Sequence, residues 1–249
     1  MRTLAFHVHS AFSYDSLSSP KSIVRFCHSH GIQSVCIADH DTIRGSVEAA
    51  KFADEYGVQT IIGAEYYTEI GDVIGLFLQE EIASRNSMEV IAKIKKQGGI
   101  TVLPHPFHGH RLNDEVLHAI DVIEVFNGRC TESENVQAFG LAKRLRKPMV
   151  AGADAHFVSD VAGCIMTFAV DRKIRPDDFI STARTWRATS THPLRTRTSQ
   201  ITKAVKTLDP PLLWRSGRSF VYTMLHDVHP ASHIEKKIYQ HEWNNEQND

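Results

Sequence analysis

The feature that most restricts this chain is an alternation between two periods. Short apolar or β-branched runs recur at residues 3–8, 34–38, 60–64, 72–78, 100–103, 122–126 and 148–151, and most of the stretches between them carry helical spacing. Some of those stretches have recognisable ends: Ser19-Pro20 opens one that closes near Gly31, and Ser87 opens another that closes at Gly98-Gly99. Strand and helix in turn predict βα units and a mainly parallel sheet, open or closed into a barrel. The ends of the runs choose between the two. His7 and His9 end the first run, Asp39 and His40 the second, Glu65 the third and His105 the fifth; Glu124 and Asn127 lie in the sixth, and Asp154 and His156 follow the seventh. A doubly wound sheet collects ligands mainly at one switch point, whereas a barrel gathers them at the C-terminal ends of several strands, so a barrel is expected.

Composition adds bounds. At 249 residues the chain suffices for one large domain or two small ones with a sizeable core, and no apolar run approaches the roughly 20 residues of a membrane span. The N-terminus meets His7 before a signal peptide could form, so a cytoplasmic location and no membrane partner are expected. Cys27, Cys36, Cys130 and Cys164 form no CxxC pair, which argues for buried or free thiols rather than a zinc ribbon or disulfide framework. A net charge of -1 argues against a nucleic-acid footprint over the whole protein, while 15 histidines raise the prospect of a metal site. The organisation expected is a domain over residues 1–190 followed by a C-terminal extension over 191–249, basic and then polar, partly packed or disordered. Between residues 184 and 218, Arg184, Arg187, Arg195, Arg197, Lys203, Lys206, Arg215 and Arg218 stand against Asp209 alone, a net charge of +7; the last residues, from His241 to Asp249, are polar enough to fray.

Taken singly, the polar groups are ambiguous. His7-Val8-His9 at a strand end puts both imidazoles on one face, as two ligands of one ion require, but two strand histidines in a hydrogen-bonded core would look the same. Glu65 after an apolar run could bridge two cations, since an uncompensated buried carboxylate is expensive. Pro104 and Pro106 stiffen the backbone around His105, or merely shape a turn. Together, these groups are hard to explain as ordinary turn and core residues.

In order along the chain, HVHSAFSYDS, IADHDT, GAE, LPHPF, EVFNGR and GADAH resemble the PHP (polymerase and histidinol phosphatase) family over roughly residues 1–170, in particular its small stand-alone phosphoesterases. The resemblance implies an α/β fold, a distorted (β/α)7 TIM-like barrel, holding two or three divalent ions of zinc, manganese or iron. It implies that His7, His9, Glu65 and Asp154 hold the first ion, with Glu65 bridging to a second bound by His105, and that Asp15, His40 and His156 hold the third. Ser16 stands where the family motif often has Gly. Asp72 stands where many members have a metal-binding His, which shifts preference toward harder ions such as manganese. Asn127 takes the place of another occasional His, as a weaker ligand, and Glu124 would support the ligands.

The activity implied is hydrolysis of a phosphomonoester by attack of metal-activated water. Glu65 would set the metal spacing, and a bound water or one of His156, His108 and His110 would protonate the leaving alkoxide. Arg111 and Arg129 would grip nonbridging oxygens. The expected partner is a phosphorylated small molecule. Two other readings stand beside it: a PHP-type nuclease whose +7 segment guides short oligonucleotides, not favoured because only Trp186 and Trp214 offer stacking platforms there, and a non-catalytic PHP-like module. GxGxxG, Walker, G-x-S-x-G and HExxH motifs are absent, so nucleotide-dependent transfer, serine hydrolysis and zincin proteolysis have no support.

Overall fold

A computed structural model describes residues 1–189, 193–226 and 239–243, with side chains placed up to residue 189 and over 196–221. Strands β1 (Arg2–Val8), β2 (Ser34–His40), β3 (Gln59–Thr68), β4 (Gly71–Leu76), β5 (Ile100–Leu103), β6 (Val122–Asn127) and β7 (Met149–Gly152) are successive neighbours in one sheet. Helices α1 (Pro20–Ser29), α2 (Arg44–Ala50), α3 (Ala53–Tyr56), α4 (Ser87–Lys96), α5 (Asp114–Ala119) and α6 (Glu132–Leu145) fill the connections. Local chemistry explains their limits. Ser19 accepts a hydrogen bond from the Ser22 N–H, Pro20 starts α1, Ile23, Val24 and Cys27 bury one face, and Gly31 at φ 68° follows the end. Leu4, Phe6, Ile37, Ile74, Val102, Ile123 and Val150 from six of these strands are fully buried, each worth about 1.5–3 kcal/mol of transfer free energy.

The sheet curls until its ends nearly meet. Val8 forms a parallel bridge with Ala155 beyond β7; His9 N–H donates to Ala155 O (2.8 Å), Ala155 N–H to His7 O (3.0 Å) and Ala153 N–H to Phe6 O (3.2 Å). The barrel expected from the strand ends is therefore present, and from β1 to β7 its sheet is mainly parallel: four of the six pairs are parallel, the two exceptions are those of β4, and the strands beyond β7 add three antiparallel pairs. Glu69 and Ile70 leave too little chain between β3 and β4 for a crossover, so β4 turns straight back. This reversal has a functional consequence. Asp72, at the beginning of β4, pairs in register with Tyr67 and so lies at the same barrel mouth as the C-terminal ends of the parallel strands.

Beyond the barrel, β8 (Cys164–Phe168) runs antiparallel to β1, and β9 (Arg184–Ala188) follows it after the short α7 (Asp178–Ser181). The backbone of β10 (Tyr239–Trp243) pairs with β9, which places part of the polar end in the sheet; residues 244–249 lie outside the described residues. Helices α8 (Pro193–Lys206) and α9 (Pro210–His226) pack together near the mouth. Lys206 Nζ donates to the carbonyls of Ala11 (3.0 Å), Ser13 (2.7 Å) and Ser16 (2.7 Å), fastening α8 to the loop that carries Asp15. No helix among the described residues is long and apolar enough to cross a membrane.

Candidate metal centre

His7, His9, Asp15, His40, Glu65, Asp72, His105, Asp154 and His156 converge at the mouth. Within it, four sets of donor atoms lie no more than 4.8 Å apart: His9, Asp15, His40 and His156; His7, His9 and Glu65; His7, His105 and Asp154; and Glu65, Asp72 and His105. Glu65 is 1% exposed and sits centrally, 3.4 Å from His7 Nε2, 3.5 Å from His9 Nε2, 3.2 Å from His40 Nδ1 and 3.1 Å from His105 Nε2. His156 Nε2 and His40 Nε2 lie 3.0 and 3.1 Å from Asp15 Oδ2.

The backbone at three of these residues is unusual. His7 (φ 58°), His105 (φ 27°) and Asp154 (φ 49°) occupy the left-handed region, at a cost of order 1–3 kcal/mol each, a strain that clusters at functional sites. In β1 the register slips between Ala5 and Val8, so His7 and His9 share a face across a bulge rather than along a regular strand.

A surrounding set of polar groups orients the imidazoles. Glu124, 1% exposed, takes His7 Nδ1 at 2.9 Å on one oxygen and accepts from the His105 N–H at 2.9 Å on the other. His7 thus presents Nε2 to the centre. Asp39 accepts from Ser10 N–H and from the Ser10 and Ser13 hydroxyls; since the Ser13 hydroxyl gives its proton to Asp39, it accepts from His9 Nδ1 at 3.1 Å, and His9 too presents Nε2. Both Nε2 atoms are buried without a hydrogen-bond partner among the described residues, as is Asp15 Oδ1. Buried polar atoms are rarely left unpaired, and a carboxylate or carbonyl holding the far nitrogen is the usual support for a metal-bound histidine. The donor set therefore fits divalent ions.

The charges respond to one another strongly. Burial disfavours the imidazolium of His40, but its hydrogen bond to Asp15 and the charge of Glu65 prevail and lift it to about 9; burial is likewise outweighed at His105, where Glu65 holds it at about 9. Burial and the neighbouring His156 depress His9 to about 4. Burial raises Asp72 to about 6, with Glu65 repelling its charge. Burial works against the carboxylates of Glu65 and Asp154 too, yet His7 above all keeps both well below the usual range.

Other expected residues have different places. Asn127 directs its amide nitrogen to Glu124 Oε2 (3.0 Å) and Asp154 Oδ2 (3.3 Å), while its oxygen accepts from the Arg129 N–H; it braces carboxylates rather than offering a free ligand atom. Arg129 is at the centre, with Nη1 2.7 and 2.8 Å from the ring nitrogens of His156, 4.0 Å from Asp154 Oδ1, and Nη2 donating to Ser199 on α8. Arg111 is exposed and is held by its backbone N–H on Ile70 O, away from the converging ligands. His108 is exposed beside Glu134, and His110 has its ring nitrogens on the carbonyls of His108 and Asp72. Ser10 and Ser13 emerged only with the structure, as did the role of Asp39 in holding them; the hydroxyl-rich spacing of HVHSAFS was the available signal.

The PHP domain family model matches residues 5–128, and a second, described as PHP-associated, matches 132–186. Two uncharacterised proteins of Methanocaldococcus jannaschii are similar: one is 40% identical over 135 residues, spanning 49% of this chain and 79% of the relative, and the other 34% identical over 184 residues, spanning 69% and 73%. A candidate metal-dependent phosphoesterase from Bifidobacterium adolescentis has a similar fold, with TM-score 0.52 and 19% identity over 62% of this chain and 87% of that one. PsfC from Pseudomonas syringae gives TM-score 0.54 and 18% identity over 83% and 98%. The chain belongs to the PHP domain family.

Proposed function

We propose that this protein is a metal-dependent phosphoesterase that hydrolyses a phosphomonoester of a small molecule. The observation that carries the reading is the pair of unpartnered nitrogens, His7 Nε2 and His9 Nε2, buried among Glu65, Asp154 and His105 at one end of the barrel. His7, His9, Asp15, His40, Glu65, Asp72, His105, Asp154 and His156 would hold two or three ions, manganese, zinc or iron. Bound there, such ions neutralise the phosphate dianion and lower the pKa of water toward about 7. Glu65 spaces the ligands, Glu124 and Ser13 fix the direction of His7 and His9, and Arg129 takes nonbridging oxygens through its planar fork. Water at the mouth hands a proton to the departing alkoxide. Of the extension that begins at residue 191, α8 lies beside the mouth, supported by the bonds of Lys206 and Ser199.

The test is phosphate release from a panel of phosphomonoesters, nucleotides and short oligonucleotides with Mn²⁺, Zn²⁺ or Fe²⁺, against a chelator control. Metal-dependent turnover of monoesters is expected; full activity in folded, metal-free protein would overturn the reading. One observation favours the nuclease as a second reading: a cavity of about 380 Å³ between α8 and α9, lined by Arg197, Lys203 and Arg215 with no acidic residue. Lys203 also lies over the Tyr14 ring, which stacks on His40. Oligonucleotide affinity that falls steeply with salt, together with cleavage, would favour it.

A further inference from the structure

Outside the buried centre, His108, Cys130 and Glu134 each place one ligand atom within 4.8 Å of the others. They come from two connections. His108 sits in the turn after β5, its N–H bonded to His105 O at 2.8 Å, and Cys130 and Glu134 flank the start of α6. We propose that these three residues form a separate cation site at the rim of the barrel, selective for a borderline divalent ion of the zinc type.

The geometry is prearranged. Glu134 closes a capping box, with Oε2 accepting from the Thr131 N–H (2.7 Å) and hydroxyl (2.8 Å), which leaves Oε1 facing His108 Nδ1 at 3.1 Å. The Cys130 N–H is tied to Asn127 O at 3.2 Å, so the thiol's backbone is held by the same turn that braces the centre. An ion takes the position of the proton between His108 Nδ1 and Glu134 Oε1, the ring then carries its proton on Nε2, and the Cys130 thiol proton leaves to solvent. Burial holds that proton on the sulfur when the site is empty, and the positive charge of Arg129 and the start of α6 work the other way, toward thiolate. Imidazole, thiolate and carboxylate are a zinc-type donor set, and three protein ligands leave one tetrahedral position to water. None of the nine buried ligands is a cysteine, so sulfur separates the two sites chemically.

Cobalt(II) added to the full-length protein reads the sulfur alone, because only a thiolate ligand gives the intense near-ultraviolet charge-transfer band. The band is expected to saturate at one thiolate-bound ion per chain, beyond the ions taken up by the buried centre, to vanish in Cys130→Ser, and to persist in His9→Ala, whose ring lies among His7, His40 and His156. His108→Ala, at an exposed position that folding does not need, should weaken the ion's affinity by roughly tenfold or more. A folded, cobalt-loaded protein without the band, or a band that survives in Cys130→Ser, overturns the assignment; should Cys130→Ser fail to fold, an affinity unchanged in His108→Ala does so.

Discussion

The barrel mouth and the α8–α9 pair both concentrate charge, and they handle it in opposite ways. At the mouth, imidazoles and carboxylates are buried or largely so, three of the backbones that carry them are left-handed, and His7 and His9 Nε2 have no hydrogen-bond partner among the described residues. On α9, Arg215 and Arg218 are exposed to solvent, which solvates each charge separately. Density of charge alone therefore says little. Confinement makes the mouth depend on counter-charges, and its absence makes the helices tolerant.

The largest expected effect is at a ligand position beside the central Glu65. His105→Ala removes a ligand and should cut turnover roughly a hundredfold or more; a fall below tenfold, measured on metal-loaded protein, would erase the distinction drawn here. Arg129→Ala comes next, with a loss of roughly 10- to 100-fold in kcat/KM from about 1.5–3 kcal/mol of charge-assisted bonding, read by steady-state kinetics; unchanged constants would move Arg129 into the solvated class. Gly152→Ala tests confinement sterically. Its Cβ would collide with Glu124 Oε1 and lie 2.8 Å from His7 Cβ, so denaturant unfolding should show about 1–3 kcal/mol of lost stability, and a neutral result would mean the mouth can relax.

Acidity sharpens the comparison further. In metal-free protein, His40 and His105 sit at about 9 against an ordinary 6.5, so the stability they contribute is complete below pH 6.5 and is lost as pH rises through about 9. Ions compete with those protons, so metal affinity rises over the same interval. Melting temperatures of chelated and loaded samples should diverge from pH 6.5 to 9, and a chelated sample that gains stability there contradicts the scheme. The smallest effect belongs to the helices: Arg215→Ala should change unfolding free energy by no more than about 0.5 kcal/mol.

The convergence of these side chains was legible because polar groups at the ends of successive barrel strands must meet at one mouth. His105 between Pro104 and Pro106, or Asp154 and His156 after β7, needed no knowledge of packing. Direction was not legible: the apolar run containing Val73 and Ile74 reads alike in a parallel or reversed strand, and only the short turn at Glu69 and Ile70 decides. The placing of Arg111 depended on where a loop aims its side chain, and that of Asn127 on which carboxylates its amide meets at the end of β6, neither of which local pattern encodes. Strands β8 and β9 alternate buried with partly exposed positions and so lack the continuous apolar run that marked the shorter, fully buried β5 and β7.

The contact of Lys206 with Ala11, Ser13 and Ser16 can also be expressed in time. It joins residues 190 to 195 positions apart, and at about 5–20 residues per second the ribosome needs roughly 10–40 s to make that interval. The loop bearing Asp15 is made before its clasp. A nascent chain therefore carries that loop throughout this interval before the part that fastens it exists.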